Sequence, residues 1–493
     1  MQLFKYLLSV VVAMGFATSL SLAADEHGHG HGHGHDHGHD HGHEHHGDHE
    51  HHGDHHHGDH EHHGDHGHQA FGGQDRSRYL QEINEKDWGA LRDYIDSKRE
   101  TNLENEDDCG LTISGDVRFE WRHLNEKGIN FDGDYRLLRG GDALKKGIPV
   151  SRNDFDIEFN LRFDYVCERT WAVAHLDFDN SGGVDDNDHK CECDPVGYHG
   201  SGSCDSICLK KAYFGYNVYT CGDTRLDVEL GRRNLYNVFD SQIQFLSRFD
   251  GLTLKYSNRL ENISDWYWNV AGFVVDERVN HFAWVTEVGL LDICDSGIDL
   301  KYSFIDWEKH GKNRCRVRNP RGFKFQVSQI TAAYHVDKKI LGAPLKIYGA
   351  ILKNHSNVRI RLPEDDANLA CVGDKYRKDS IKGEPWGWYL GFVFGEVKKE
   401  GDYAFSAQYE YVQATAMPDE DAAGIGNGNV LNQSFTENGR GNTNYKGVKF
   451  EFLYALTDNL SIDSILEFSR EIKKSIGGRH HYSKFELEAI YAF

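Results

Sequence analysis

The chain has 493 residues, of which 39% are hydrophobic and 12% aromatic, with seven prolines and a formal net charge of −23. This acidity argues against nucleic acid as a partner, because nucleic-acid-binding proteins neutralise phosphates with basic surfaces. Many aromatic residues and few prolines favour a sheet protein, since proline interrupts the hydrogen-bonded ladder. No stretch approaches about eighteen apolar residues, so no membrane helix is predicted.

Residues 1–23 have the pattern of a secretory signal peptide. Lys5 provides a short positive region, residues 7–20 are apolar, and the Ser-Leu-Ala of residues 21–23 forms a small-residue cleavage site. Such a segment is removed from the mature chain. The protein is therefore predicted to be exported.

Residues 24–68 form a low-complexity tract of His, Gly, Asp and Glu. The tract has no apolar residue that could seed a core, so it is predicted to be disordered. Imidazole and carboxylate groups suit Zn²⁺, Ni²⁺ or Cu²⁺, and clustered histidines would bind them labilely at interchangeable sites. A solvated tail that gains charge below about pH 6.5 is the alternative. The clustered candidates are His55, His56, His57, His62 and His63.

Residues 69–109 are predicted to hold a periplasmic amphipathic helix and an acidic linker. Apolar residues recur at helical spacing from Leu80 to Ile95, with charged residues between them. The helix could form a trimer seam, lie against or inside the following domain, or serve only as a linker.

Residues 110–493 read as strand after strand, with side chains alternating in polarity. In residues 154–165, apolar Phe155, Ile157 and Phe159 alternate with Asp156 and Glu158. Sixteen such segments predict an all-β, transmembrane antiparallel barrel of 16 to 18 strands. The predicted strands begin near Leu111, Asp154, Trp171, Leu209, Arg225, Gly251, Trp266, His281, Ile298, Phe323, Pro344, Trp386, Asp402, Lys446, Leu460 and Tyr482.

Connection lengths alternate between short and long, which is typical of an outer-membrane barrel. The one misfit is residues 276–280, a short connection where a long one is expected. The short connections are residues 168–170, 221–223, 258–262, 295–297, 399–401 and 456–459. The long connections are residues 125–152, 179–206, 233–250, 310–321, 354–384 and 414–444.

The final strand resembles the C-terminal insertion signal of Gram-negative outer-membrane barrels. Every second residue from Phe485 to Phe493 is apolar, and the last is aromatic. The resemblance implies that this strand closes the barrel against the strand opening near Leu111. It also places the N-terminal tract in the periplasm.

A second resemblance lies around residues 229–256. A strand ending in Gly231-Arg232, then a loop, then a strand opening with Arg248-Phe249-Asp250 is similar to a pattern in Gram-negative porins and alginate-export-type channels. In trimeric porins this connection folds inward and narrows the pore. The resemblance therefore implies constriction candidates, although a brace in which Arg248 and Asp250 pair with each other or with Arg232 is the alternative. The candidates are Arg232, Arg233 and Arg248, with Asp240 and Asp250 as counter-charges.

This loop lacks the acidic-Gly motif of some general porins, and the His-rich tract has no counterpart in them. The polar strand faces carry both charge signs, so much of the lumen charge should pair and ion selectivity stays open. Further lumen candidates are Arg118, Arg122, Arg162, Asp116 and Glu120.

One loop matches the ligand spacing of an EF-hand-like calcium site. Oxygen-bearing residues occupy positions one, three and five, glycine position six and an acidic residue the last position. Acidic turns are also common in barrel loops, so an ordinary solvated loop is the alternative. The candidate calcium ligands are Asp177, Asp179, Ser181, Asp185 and Asp188.

Ten cysteines are many for an outer-membrane barrel. In an exported protein, clustered cysteines favour disulfides, with zinc ligation as the alternative. The candidates, predicted to staple loops or link chains, are Cys191, Cys193, Cys204 and Cys208.

A sixteen-stranded barrel encloses an aqueous channel, so the expected function is an outer-membrane porin for passive diffusion of small hydrophilic solutes or ions. Two alternatives remain. One is a metal-capturing protein that concentrates Zn²⁺, Ni²⁺ or Cu²⁺ on its His-rich tract, and the other is a disulfide-linked adhesive envelope protein. No nucleophile–base pair points to an enzyme, and no cofactor is required. Expected partners are outer-membrane lipid, the barrel-insertion machinery and two further copies in a homotrimer.

Overall fold

The computed structural model describes residues 109–129, 135–136, 150–181, 207–260, 263–276, 281–307, 325–340, 342–356, 359–363, 376–418, 421–425, 443–473 and 479–493. The chain divides into two compact units, residues 1–73 and 74–493, and every described residue belongs to the second. The predicted signal peptide, His-rich tract and amphipathic helix lie outside the described residues. Among the residues described, no helix is long and apolar enough to cross a membrane.

The described part of the chain is almost entirely β-structure, with short 3-10 helices at Leu235–Asn237 and Ile293–Asp295. The strands are β1 (Cys109–Ile129), β2 (Tyr135–Arg136), β3 (Val150–Cys167), β4 (Thr170–Ser181), β5 (Ile207–Cys221), β6 (Thr224–Asn234), β7 (Arg248–Leu260), β8 (Ser264–Asp276), β9 (His281–Leu291), β10 (Ile298–Trp307), β11 (Phe325–Ile340), β12 (Ala343–Asn354), β13 (Arg359–Pro363), β14 (Tyr376–Lys382), β15 (Trp386–Glu396), β16 (Tyr403–Val412), β17 (Tyr445–Ala455), β18 (Leu460–Glu471) and β19 (Arg479–Ala492).

Sixteen long strands form a closed antiparallel barrel. Each pairs with its neighbour along the chain, and β19 pairs with β1 to close the wall. The two-residue β2 extends the sheet beside β1, and β13 pairs with β14 in a separate hairpin. The predicted barrel is confirmed, and all sixteen predicted strand starts lie within four residues of the observed ones.

The C-terminus takes part in closure as the alternating pattern predicted. The backbone N–H of Phe493 donates to the carbonyl of Gly115 at 2.9 Å, and the N–H of Gly115 donates back to Phe493 at 2.9 Å. The Phe493 ring stacks on Phe159 of β3, with centroids 6.4 Å apart. The closing seam is therefore held by ladder hydrogen bonds and by an aromatic contact on the outer face.

The two faces of the wall differ in polarity because successive side chains of a strand point to opposite sides. On β1, Leu111, Ile113 and Phe119 are 50–52% exposed, whereas the intervening Asp116 and Arg118 are 2% exposed. In a closed barrel the buried polar face is the inner one. The outer face is apolar, as a lipid-facing surface requires.

Connections at one end of the barrel, called the turn end here, are short. The strand pairs β3–β4, β5–β6, β7–β8, β9–β10, β11–β12, β15–β16 and β17–β18 are joined there by two to six residues. Most connections at the other end, the loop end, are longer. The short connection expected after β8 is real, because β8 ends at Asp276 and β9 begins at His281.

A disulfide joins Cys109 and Cys167 at the turn end. These residues face each other in the β1–β3 register. The expectation of disulfide bonding is confirmed, but at a pair outside the four cysteines predicted to staple the loops.

Candidate functional site

The connection between β6 and β7, residues 235–247, folds against the inner wall and is called the inward loop. It begins with the 3-10 helix, and its ends pair through Leu235 N–H to Ser247 O and Tyr236 N–H to Phe245 O, both at 2.9 Å. Leu235, Phe239, Ile243 and Phe245 are each at most 1% exposed. The loop is therefore packed through its apolar side chains.

The wall beneath the inward loop is apolar on its inner face as well as on its outer face. The Phe249 and Phe273 rings lie 5.3 Å apart, and Phe273 meets Trp307 edge-on at 5.6 Å. Burial of this area holds the loop in place, because apolar burial is the main favourable contribution to packing. The buried wall residues of this cluster include Phe249, Ala271, Phe273, Ala283, Val285, Ile305, Trp307, Phe325, Val327, Ala350, Leu352, Tyr389 and Tyr445.

Polar contacts fix the tip of the inward loop. The backbone N–H of Asp240 donates to Glu287 Oε2 at 3.0 Å, and Lys301 Nζ donates to Asp240 Oδ2 at 2.7 Å. Gln329 Nε2 donates to the Asp240 carbonyl at 2.7 Å, while Ser241 Oγ donates to Gln329 Oε1 at 2.8 Å. Three wall strands, β9, β10 and β11, thus hold one loop residue.

A second segment, residues 413–425, is called the clasp. Its Asp421 accepts the Leu246 N–H on its carbonyl at 3.3 Å and the Ser247 N–H on Oδ1 at 3.2 Å. The Ala423 N–H donates to the Ile243 carbonyl at 2.9 Å. Because Asp421 is fully buried, its pKa is raised to about 7, although hydrogen bonds from Ser247 and Gln244 oppose the shift.

The clasp is itself fixed to the inner wall by Glu410 of β16. Glu410 Oε2 accepts the Ile425 N–H at 3.0 Å and the Tyr445 hydroxyl at 2.7 Å, and Gln408 Nε2 donates to Oε1 at 2.7 Å. Three donors on one carboxylate satisfy a group that burial would otherwise penalise. The inward loop and the clasp together form a layer inside the barrel.

Buried ion pairs cover the inner wall of β1, β3 and their neighbours. Arg118 Nε lies 2.5 Å from Asp116, and Arg162 Nη2 lies 2.6 Å from Asp164. Arg122 bridges two carboxylates, with Nε 3.1 Å from Glu120 and Nη2 2.5 Å from Asp156. The predicted lumen residues Arg118, Arg122, Arg162, Asp116 and Glu120 thus lie on the inner face and are paired with opposite charges.

One cluster of three inward-facing glutamates is compact enough to hold a cation. Glu120, Glu486 and Glu488 have carboxylate oxygens within 4.8 Å of one another. Cationic side chains already accompany this group: Lys484 lies 3.1 Å from Glu486, and Arg118 lies 3.9 Å from Glu488. This arrangement is therefore an ion-pair network.

The constriction candidates at the β6–β7 connection divide between the two faces. Arg233 and Asp240 lie on the inner side. Arg233 is 1% exposed, contacts the Glu229 carboxylate and lies over the Tyr213 ring at 4.7 Å. It is thus packed inside the wall, and Asp240 is the candidate at the loop tip.

Arg232, Arg248 and Asp250 lie on the outer face, so their assignment to the lumen is corrected. They alternate with buried Arg233 and Phe249 and share a face with exposed Leu252. Arg232 and Asp250 form a bidentate ion pair, in which Arg232 Nε donates to Asp250 Oδ1 and Arg232 Nη2 donates to Asp250 Oδ2, both at 2.8 Å. The predicted alternative, in which Asp250 pairs with Arg232 and braces the wall, describes this pair. Arg248 Nη1 lies 3.3 Å from Cys208 Sγ.

The remaining candidates are only partly described. Asp177 lies on β4 and faces inward, with its carboxylate 3.0 Å from Lys210 Nζ. Asp179 and Ser181 continue the same extended strand, whereas an EF-hand-like loop turns tightly there. Asp185, Asp188, Cys191, Cys193, Cys204 and the five histidines lie outside the described residues. Cys208 forms no disulfide with a described residue.

Sequence reasoning placed Lys301 in the lumen but missed Glu287, Gln329 and Asp421, which position the inward loop with it. A usable signal was present in residues 271–275 and 282–285, where apolar residues occupy both strand faces. A strand with two apolar faces is covered on both sides. In a barrel, this pattern indicates that something packs inside.

No protein-family model and no curated protein matches the sequence. Among solved structures, the chain is similar to OprB of Pseudomonas putida at high pH, with a TM-score of 0.44 and 12% identity over 80% of this chain and 96% of that one. It is similar to OmpF of Salmonella typhi in complex with daunomycin, with a TM-score of 0.44 and 10% identity over 78% and 97%. It is also similar to DcaP, an outer-membrane channel of Acinetobacter baumannii, with a TM-score of 0.41 and 10% identity over 78% of this chain and 97% of that one. With TM-scores below 0.5, these likenesses add nothing to the barrel fold, which rests on its strand pairings.

Proposed function

We propose that this barrel spans the outer membrane of a Gram-negative cell and is a porin through which small hydrophilic solutes or ions diffuse passively. The observation that carries the proposal is the division of the wall into two faces. Exposed apolar side chains cover the outside of a closed sixteen-stranded sheet, and polar side chains line the inside except under the inward loop. A sheet of this size with those faces suits lipid outside and water within.

The inward loop supports a channel with a narrowed section. Asp240 at its tip and Lys301 on the wall keep part of their side chains exposed, at 35% and 20%. These exposed charges lie where the loop projects from the wall, whereas most of the charges on β1 and β3 are buried in pairs. Passing ions would therefore meet the Asp240–Lys301 pair.

Planar-bilayer recording with purified protein tests this function. We expect stepwise, ohmic conductance in KCl. The steps should be larger for a variant in which the inward loop is shortened by deleting Asp240 and its neighbours. A shortened turn at residues 397–402, at the turn end, is the matched control and should leave the steps unchanged. Folded, membrane-inserted protein that passes no current would refute the porin proposal.

A homotrimer and metal capture by the His-rich tract remain separate predictions. Deletion of residues 25–68 tests the second, because a metal-capturing role requires that growth under metal limitation fall while conductance persists. Unchanged growth would refute metal capture without touching the porin proposal.

A further inference from the structure

A row of basic residues crosses the outer face of the barrel near its loop end. In the strand registers, Lys446 of β17 lies directly opposite Arg470 of β18, and Arg470 lies opposite His481 of β19. Each neighbours an inward, buried residue: Tyr445, Ser469 and Tyr482 are 2–8% exposed. The row therefore belongs to the outer face of three adjacent strands.

This row has no acidic partner among the described residues. No carboxylate of a described residue forms an ion pair with Lys446, Arg470 or His481. By contrast, Lys473, just beyond β18, contacts the Glu384 carboxylate. Like charges directly opposite each other destabilise a sheet. The row is therefore complementary to an external anion.

The row also continues an aromatic belt. Tyr411 of β16 lies opposite Lys446, and Trp388 of β15 lies opposite Tyr411. The rings of Trp388 and Tyr411 stack, with centroids 6.0 Å apart and planes 15° apart. Trp and Tyr mark the membrane–water interface. The cations therefore lie at the level of lipid head groups.

Directly below the row, toward the middle of the barrel, the same face is largely apolar. Tyr409, Val448, Phe468 and Ser483 form the next register row across β16 to β19. The two rows border a cavity of 580 Å³. Gly447 also lines this cavity, between Lys446 and Val448 of the two rows.

We propose that this cavity binds the phosphate-bearing head group of a membrane lipid, whose acyl chains lie along the apolar row below. Neighbouring strands are about 4.8 Å apart, so Lys446 and His481 flank the central Arg470 at about that spacing. The planar guanidinium of an arginine can hold two phosphate oxygens at once, Lys446 can balance the remaining charge, and the His481 ring can donate a hydrogen bond. The inference rests on the proposed membrane placement, but it does not require an open pore.

Native mass spectrometry of the purified barrel in detergent tests the site. The probes are dioleoyl phosphatidic acid and dioleoylglycerol, which have the same acyl chains and differ in the phosphate. We expect wild-type protein to bind phosphatidic acid at least about tenfold more tightly than K446Q/R470Q. Such a tenfold change corresponds to about 1.4 kcal/mol. Dioleoylglycerol should bind both proteins weakly and equally.

The matched control is K398Q/K399Q, which removes two exposed cations at the turn end and should bind phosphatidic acid like wild type. Inorganic phosphate at the same concentration should not displace the lipid, because it has no acyl chains to fill the apolar row. Equal phosphatidic acid binding by K446Q/R470Q and wild type would overturn the site. The site would also be overturned if wild-type protein bound dioleoylglycerol as tightly as phosphatidic acid, or if inorganic phosphate displaced the lipid. A changed oligomeric state of K446Q/R470Q with lipid binding intact would overturn it as well. Because the readout is lipid mass, its failure is distinguishable from a failure of conductance.

Discussion

The inner walls on two sides of this barrel are held by different forces. Around β8 to β12, the inner face near the loop end is apolar and lies under the inward loop. Around β1, β3 and β19, the inner face carries ion pairs such as Arg162–Asp164 and Arg118–Asp116. Apolar side chains on an inner face are stabilised by an apolar cover, whereas the charges on the other side are compensated by one another within the wall. The difference explains why the inward loop packs on the apolar side and not against the ion pairs.

Truncation of the apolar side should have the largest effect. Phe239 is 1% exposed and packs on Phe245, with ring centroids 5.6 Å apart. We expect Phe239→Ala to weaken the attachment of the inward loop by about 3–5 kcal/mol, because it removes buried area and leaves a cavity. Hydrogen exchange within residues 235–247 should accelerate, and channel current should become larger and noisier.

The control for this change is Phe119→Ala on the outer face of β1, where the side chain is 50% exposed. It removes the same atoms without touching the loop, so exchange in residues 235–247 should stay slow. If both variants loosen the loop equally, apolar packing is not what holds it.

Breaking one ion pair tests the charged side. Arg162 and Asp164 have side chains only 4% and 1% exposed. Arg162→Leu should cost about 3 kcal/mol in the free energy of unfolding, because it leaves Asp164 as a buried charge without this partner. The double variant Arg162→Leu/Asp164→Leu should recover most of the loss, as a urea-unfolding cycle in detergent would measure. A double variant less stable than the single one would show that the pair is not coupled in this way.

Much of the barrel could be predicted because strand alternation is a local signal. Phe155, Ile157 and Phe159 alternate with charges regardless of what surrounds them, so strand starts and closure followed from the sequence. The site could be predicted less well. The resemblance around Gly231 located the loop, but the face of Arg232 and Asp250 depends on strand register, which a one-residue shift reverses.

The residues that hold the loop could not be predicted because they meet across long separations. Ser247 and Asp421 are 174 residues apart in the chain, and no local pattern links them. Strands with apolar residues on both faces indicate that something covers the inner wall, but they do not indicate which segment covers it. Only the folded registers bring Glu287, Lys301 and Gln329 to one loop residue.

A rise in pH should loosen the contact between the clasp and the inward loop. Burial raises the pKa of Asp421 to about 7 in the folded clasp, against an ordinary value of 3.8. The folded clasp therefore binds a proton more tightly than the released one, so its stability is fully present below about pH 4 and falls as pH rises through about 7. Between pH 5 and pH 8 the loss should be about 2 kcal/mol.

Channel noise and proteolytic cleavage within residues 413–425 should rise over that pH range. Asp421→Asn keeps an oxygen to accept the Ser247 N–H and has no titratable proton, so its noise should change less with pH than that of wild type. A pH response as large as that of wild type would assign the effect to another group.

The smallest effect is expected at the Lys301–Asp240 pair at the tip of the inward loop. The pair is partly exposed, so solvent screens it, and its loss should cost at most about 1 kcal/mol. Gln329 and Glu287 still hold the Asp240 backbone, so the loop should stay in place after Lys301→Gln. The lost positive charge then leaves Asp240 uncompensated in the narrowed section, which favours cations. Reversal potentials in a KCl gradient should shift toward the potassium potential, with single-channel conductance nearly unchanged, whereas Lys301→Arg should behave like wild type. If instead the conductance of Lys301→Gln rises as much as that of Phe239→Ala, then the ion pair, and not the apolar wall, is what holds the loop.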